Sequence, residues 1–474
     1  MTTYDDAIAA PLSSRRRKRL YRGSRRDFLI GLVFWGVVAG VGVYWCVIWA
    51  QGGADGLSGF KWKNETQFFL NLGRITALQS GYLALVEVLL LARLPFVERA
   101  VGFDRLTNWH RWNGFAVLWL VLAHVVFSVW GFARDPLFGA GSWTNEYWAL
   151  MTDGNFPGMI IATIGTVLVI AVAVTSLSIA RRKLNYEVWY AIHFTAYAGI
   201  ALAWYHEIPV GNELTPNVQV IAADIWRATY AATLALLLWY RLIRPIIQNW
   251  RYRMRITEVV EEAPGVWSVR ISGRGLERYG ARAGQFFFWR FLTRGFWYTQ
   301  HPFSISEAPK GGSFRITVKA LGDHTAKFGK LKVGTTVLAE GPFGVFTSDT
   351  ATRDKVLLIA GGIGITPVRA LLEEFSGDVV TLYRALTERD LVLRGEIDEL
   401  VAEHGGRVEY IVGDHATPEG QRLLTPEHLR EIVPDVDERE IYACGPPAML
   451  AMIERTLHRS GLHGSHVHIE NFAI

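Results

Sequence analysis

Up to about residue 243 the chain is a succession of long apolar runs, and from there on it alternates like an ordinary globular sequence. A helix needs roughly 20 apolar residues to cross the hydrocarbon of a bilayer. Windows of that kind fall at about 28–50, 68–92, 107–132, 157–180, 187–208 and 218–240, which predicts a six-helix transmembrane bundle followed by a soluble half. The connecting segments then alternate between two sides. One side collects Arg15, Arg16, Arg17, Lys18, Arg19, Arg22, Arg25, Arg26, Arg93, Arg99, Arg105, Arg181, Arg182, Lys183, Arg241, Arg244, Arg251, Arg253 and Arg255; the other has Lys61, Lys63 and Arg134. Basic residues accumulate on the cytoplasmic side of membrane proteins. The expectation is a multi-pass protein of the cell membrane, with both termini and the soluble half in the cytoplasm.

The net charge of +5 comes largely from these flanking clusters. No basic stripe interleaved with aromatics marks the soluble half, so nucleic acid is not an expected partner, and no obligate protein partner is evident. Two cysteines, Cys46 and Cys444, are too few for a disulfide framework, an all-cysteine zinc site or a four-cysteine iron–sulfur cluster. The segment SRRDFLI (24–30) is similar to a twin-arginine export signal. Its apolar run is longer than a signal-peptide core and no A-x-A site follows it, so a basic anchor before the first span is the preferred reading.

Four of the 13 histidines lie inside the apolar windows: His110 and His124 in the third, His193 and His206 in the fifth. Ionisable rings in hydrocarbon are costly unless bound or paired. Fourteen residues of helix bring His110 and His124 to within about 40° of one face and about 21 Å apart along the axis. Both helices run from inside to outside, so His110 should meet His193 and His124 should meet His206. Stacked histidine pairs are what two six-coordinate b-type haems need, with these four residues as iron ligands. His193 and His206 are thirteen apart, about 140° out of phase in an ideal helix; a bend or irregularity, with Gly199 a candidate place, is expected to correct this. A plainer reading makes all four interhelical hydrogen-bonding residues. Asp224 and Arg227 read as an i,i+3 ion pair. Arg74, in the second window, would either bind an outer haem propionate or an anionic acceptor product, or snorkel to the interface.

Beyond Arg244-Pro245, short strands punctuated by Gly and Pro suggest an antiparallel β-barrel over 250–346. HPFSISEAP (301–309) sits between two of these strands, and GDHT (322–325) follows FRITVKAL. From 352 to 474 strands alternate with helices, giving an α/β nucleotide-binding domain. KVLLIAGGIGITPVRALLEEF places a strand, a glycine loop and a helix in sequence, the order that puts backbone N–H groups and a helix N-terminus at a phosphate.

Residues 250–474 resemble the ferredoxin–NADP reductase superfamily on the motifs HPFSIS, GGIGITP and CGPPAML. The six-window half resembles the ferric reductase transmembrane domain, paired histidines included, so that the whole is similar to ferric reductases and NADPH oxidases. The resemblance implies FAD held by His301, Pro302, Phe303 and Ser304, with Lys319, Gly322 and Thr325 at its pyrophosphate. It implies NADPH or NADH at Gly361, Gly362, Gly364, Thr366 and Pro367, with Cys444, Gly445 and Pro446 closing over the nicotinamide. Phe472 matches the aromatic that stacks on the flavin, although Ala473 and Ile474 follow it here. Arg384 and Arg389, after the second strand of this domain, are positioned to take the 2′-phosphate of NADPH.

The expected function is a transmembrane flavocytochrome that passes electrons from cytosolic NAD(P)H through FAD and two haems to an external acceptor. That acceptor is dioxygen, giving superoxide, or a ferric chelate, giving ferrous iron. Two other classes fit parts of the pattern: a histidine-lined metal transporter with a regulatory nucleotide module, and a flavin reductase on an inert membrane anchor.

Overall fold

Apolar segments in lipid must pair their own backbone groups, and a helix does this within one segment. The computed structural model describes residues 25–51, 63–136, 139–152, 156–181, 183–210, 214, 220–414, 417, 420, 424–462 and 466–471. Helices Arg25–Gln51, Glu65–Leu90, Phe103–Ala133, Met159–Ser176, Tyr186–Val210 and Val220–Leu237 fall on the six apolar windows. Among the described residues, four stretches are long and apolar enough to cross a membrane: Leu29–Gln51, Arg105–Ala133, Met159–Ser176 and Ile221–Tyr252. The expected six spans are therefore met by four on composition. Glu65–Leu90 is diluted by Gln67, Asn71, Arg74, Gln79 and Glu87, and Tyr186–Val210 by its Tyr, Trp and His content.

The helical unit comprises Gly31–Leu94 and Phe103–Leu242. Glu65–Leu90 lies along Phe103–Ala133, and Met159–Ser176 along Tyr186–Val210. Glycines set these approaches. A Cβ at Gly73 would stand 2.3 Å from Ser128 Oγ, and one at Gly131 would stand 2.8 Å from Leu70. A Cβ at Gly165 would stand 3.0 Å from the Gly199 carbonyl oxygen. Small residues let helix backbones come close enough for dispersion to hold them without a hydrophobic driving force. Gly199 thus serves packing. The helix passes through it without interruption, contrary to the irregularity expected there.

The last helix also departs from expectation. It continues as a π-helical turn, Leu238–Ile243, and then an α-helix, Arg244–Tyr252. Pro245 cannot donate a backbone hydrogen bond, and a wide turn just before it accommodates the missing donor.

The second unit is built mainly from Ile243–Ile474. Strands β1 (Arg255–Ala263), β2 (Val266–Ser272), β3 (Phe286–Phe291), β4 (His301–Ser304), β5 (Ser313–Lys319) and β6 (Val337–Phe343) form two three-stranded sheets, β1-β2-β5 and β4-β3-β6. All pairings are antiparallel. The ladder is not one uninterrupted barrel, because strands this short and bulged at Ile256/Glu258 and Phe286/Phe288 break the register. Single bridges, Arg255–Thr336 and Ile305–Ile316, connect the sheet edges. Val269, Ile271, Phe287, Trp289, Phe314 and Ile316 fill the space between them. The helix Pro95–Val101 belongs to this unit, where Glu98 Oε1 accepts from Gly344 N at 3.1 Å.

Strands β7 (Val356–Gly361), β8 (Val379–Ala385), β9 (Arg407–Val412), β10 (Glu440–Gly445) and β11 (Val467–Asn471) make a parallel sheet in the order β11-β10-β7-β8-β9. β7, β8 and β10 are buried at every position, as parallel strands covered on both faces must be. Leu358 and Ala360 enter one core layer, Leu357 and Ile359 the other. The chain order reverses between β7 and β10, and open α/β sheets bind ligands beyond the carboxyl ends of strands at such a point.

Candidate functional site

The helical unit brings the predicted histidines together. The rings of His110 and His193 have centroids 5.9 Å apart and planes 58° apart, and His124 and His206 fall within Coulombic range of one another. The Nδ1 atoms of His110, His124 and His193 are engaged, while that of His206 is buried without a hydrogen-bond partner among the described residues. His110 Nδ1 is 2.9 Å from Glu87 Oε1, and His124 Nδ1 is 2.9 Å from the Gly73 carbonyl oxygen with Ser128 Oγ at 3.2 Å. His193 Nδ1 is 3.3 Å from Ser176 Oγ. A ring that donates from Nδ1 presents its lone pair at Nε2, and metal-bound histidines are held by such acceptors. The donor set therefore fits iron-porphyrin ligation by opposed pairs. Among the described residues, no group of three or more His, Cys, Asp or Glu could hold a metal ion.

Arg74 follows Gly73 on the same helix, and its Nη1 donates to Asn71 Oδ1 at 3.0 Å. Asp224 and Arg227 form the expected i,i+3 pair at 3.3 Å. Glu207 is held by Trp226 Nε1 at 3.0 Å and Tyr230 OH at 3.1 Å.

In the parallel sheet the glycine loop closes on the end of β10. A Cβ at Gly364 would lie 2.4 Å from the Cys444 carbonyl oxygen, and one at Gly361 2.3 Å from Met449 Sδ. A Cβ at Gly445 would lie 3.1 Å from Gly361 Cα. These three glycines are required by the close approach of two loops. Gly362 is different: its φ is +52°, and a Cβ there would meet nothing within 4 Å among the described residues. The crevice thus has backbone facing open space at Gly362, directly before the helix Ile365–Leu372. Thr366 Oγ1 donates to the Ile363 carbonyl at 3.0 Å and Pro367 lies in the first turn, both fixing the loop. Cys444 is buried, and burial pushes its thiol well above the usual range; Pro446 caps the helix Pro447–Arg459 beside it.

Arg384 is buried at the end of β8 and its Nη2 donates to the Gly420 carbonyl at 3.2 Å. It is thus committed to a backbone contact, whereas Arg389 is exposed. Lys319 pairs with Asp390 at 3.2 Å. Burial opposes the Asp390 charge, yet hydrogen bonds from Thr387 and Lys319 hold its carboxyl below the usual range. Thr325 Oγ1 accepts from the backbone N–H of Leu321 and Gly322 at 3.0 and 3.1 Å, shaping the turn after β5.

His301, Pro302, Phe303 and Ser304 form β4, an edge strand where proline costs no ladder bond. Trp289 Nε1 donates to the Phe303 carbonyl at 3.0 Å. The Ser304 hydroxyl is buried and finds no hydrogen-bond partner among the described residues. A buried hydroxyl left in that state costs about 1–3 kcal/mol, so it fits a polar ligand at this strand. His324 is an addition from the structure: its ring centroid lies 4.0 Å from that of His301 and its Nε2 is 2.8 Å from Thr299 Oγ1. Burial, helped by the nearby His301 and Lys327, depresses it to about 4. Phe472 and the basic run Arg15–Arg22 lie outside the described residues.

Sequence reasoning also missed Asn113 and gave Glu87 no role. A carboxylate in an apolar window was the available signal for Glu87. Nothing local pointed to the network that joins β5 to two helices, in which Arg315 binds Glu396 at 2.7 Å and Arg369 binds both Glu396 and Glu373.

Residues 76–204 match the family model of the ferric reductase like transmembrane component, and residues 358–455 match that of the oxidoreductase NAD-binding domain. The chain thus joins a ferric reductase-like transmembrane domain to an oxidoreductase NAD-binding domain, as the motifs implied. It is similar to a glycine betaine monooxygenase reductase subunit from Chromohalobacter salexigens, 30% identical over 36% of this chain and 50% of the relative. It is similar also to NADH-cytochrome b5 reductase 1 from Laccaria bicolor, 28% identical over 32% of this chain and 54% of the relative. The chain spans about half the length of these curated relatives. Among solved structures it is similar to a ferredoxin NADP+ reductase from Neisseria gonorrhoeae, at 20% identity and a TM-score of 0.40 over 47% of this chain and 99% of that one.

Proposed function

We propose that this chain is an NAD(P)H-dependent oxidoreductase that uses FAD and two b-type haems to reduce an acceptor beyond the membrane, dioxygen or a ferric chelate. The observation that carries the proposal is the opposed His110 and His193 rings, 5.9 Å apart, with His124 and His206 close enough to interact electrostatically. When bound, flavin takes an electron pair from nicotinamide and releases it singly, and haem accepts single electrons.

The chain's own residues divide the work. Gly362 and the N-terminus of Ile365–Leu372 would receive the dinucleotide phosphates, with Gly361, Gly364 and Gly445 holding the loops together. Ser304 would donate to the flavin chain, and His301 with the neutral His324 would wall the ring site. Arg389 is the exposed arginine available to a 2′-phosphate. His110, His193, His124 and His206 would ligate iron through Nε2, while Nδ1 partners set the ring orientation of the first three: Glu87 for His110, Ser176 for His193 and Gly73 for His124. The basic flanks support a cytoplasmic flavin and nucleotide side in the cell membrane.

An anaerobic absorption spectrum tests this. NADPH or NADH is expected to reduce b-type haem bands in the purified protein, and oxygen or a ferric chelate to reoxidise them. His124→Ala is expected to abolish reduction of the external acceptor while flavin reduction persists. A purified, folded protein without haem absorbance would refute the proposal.

A further inference from the structure

The two histidine sites differ in one respect. His110 and His124 are fourteen residues apart on one helix, and their Nδ1 acceptors, Glu87 and Gly73, are fourteen residues apart on the helix that packs against it. The geometry is thus repeated with an addition: both Nδ1 atoms face a backbone carbonyl, that of Glu87 at 3.2 Å and that of Gly73 at 2.9 Å, and at His110 the Glu87 carboxylate joins it. Glu87 is built in. Its Oε1 lies 2.9 Å from His110 Nδ1 and its Oε2 accepts from Asn113 Nδ2 at 2.8 Å, while Asn113 also donates to the Leu83 carbonyl at 2.9 Å. The space it occupies exists because residue 114 is glycine, where a Cβ would stand 2.8 Å from Oε1.

Resting on the haem reading above, we propose that Glu87 is a positioning residue that makes the His110/His193 site the lower-potential member of the pair. A carboxylate drawing on the Nδ1 proton makes the imidazole a stronger donor at Nε2, which favours the oxidised iron; a carbonyl does so less. Electrons then run downhill from the His110/His193 site to the His124/His206 site. The direction of transfer is written into which acceptor the neighbouring helix offers at each level.

Spectroelectrochemical titration of the full-length holoprotein decides it. The wild type is expected to show two one-electron waves. Glu87→Gln should move the lower wave upward by about tenfold in the oxidised-to-reduced ratio, about 59 mV for one electron, and leave the other in place. Asn113→Ala removes a competing donor from the carboxylate and should move the same wave downward. Opposite shifts of one wave are not produced by a merely structural role. If Glu87→Gln does not fold or loses haem, the Asn113→Ala shift decides alone. Haem-loaded variants with both waves unmoved would overturn the role of Glu87, whereas a wild type lacking haem would overturn the reading beneath it.

Discussion

The helical unit and the sheet unit both bury polar side chains, but they satisfy them by different means. In the helical unit, neutral donors reach backbone carbonyls on other helices: Gln79 Nε2 to Gly42 at 2.8 Å, Trp49 Nε1 to Asn71 at 3.0 Å and Tyr82 OH to Val38 at 3.2 Å. In the sheet unit, charges are pooled: Arg315 meets Glu396 and Glu307, Arg369 meets Glu396 and Glu373, and Arg270 meets Glu307. Full charges surrounded by hydrocarbon are expensive, and a neutral donor facing a carbonyl avoids that cost. At a water-exposed unit the same charges keep part of their hydration and reinforce each other as a network. The helical unit departs from this pattern at Glu87, beside His110, at Glu207, held by Trp226 and Tyr230, and at the Asp224–Arg227 pair.

The comparison breaks most visibly if the pooled charges are cut. Arg315→Ala leaves Glu396 with Arg369 and Glu307 with Arg270 but without the partner they share, so the cost should fall below the about 3–5 kcal/mol of a fully broken buried pair. The sheet unit should melt markedly lower, read by intrinsic fluorescence, while the far-ultraviolet helical signal of the other unit persists. Equal loss in both would deny that the network is local.

Glycines sharpen it further. Gly364→Ala drives a Cβ to 2.4 Å from a backbone carbonyl, whereas Gly73→Ala drives one to 2.3 Å from the Ser128 hydroxyl, a group that can turn away. Overpacking costs about 1–3 kcal/mol, and Gly364→Ala should lie at the upper end and Gly73→Ala at the lower. Thermal unfolding of the two variants orders them; the reverse order would mean that the helix pair is the stiffer contact.

The smallest effect is acid-dependent. Hydrogen bonds from Arg439, assisted by Lys355, hold the half-buried Asp435 carboxyl at about 2, below its ordinary 3.8. A depressed carboxyl contributes stability that is present above 3.8 and is lost as pH falls towards about 2. The melting-point difference between wild type and Asp435→Asn should therefore shrink across that window. A difference independent of pH would remove the charge as its cause.

Much of the candidate site was legible in particular residues. GGIGITP announced a strand, a tight loop and a helix start, and the structure has β7, Gly362 at positive φ and Ile365–Leu372 in that order. Two helices both running from inside to outside also announced that His110 would meet His193. What was not legible was whatever depended on neighbours. Gly199 looked like a bend and is a packing contact with Gly165. Arg384 ends a covered strand, and its Nη2 donates to the Gly420 carbonyl. Lys319 has Asp390 beside it.

Hydropathy, period and turn chemistry are local quantities, so the sequence by itself determined which segments are apolar helices, which alternate as sheet and loop, and where the glycine loop falls. The tertiary structure alone decided what each histidine leans on. His110 reaches back 23 residues to Glu87 and His124 reaches back 51 to Gly73. Those separations follow from the antiparallel register of two packed helices, and register is set by which glycines let backbones touch.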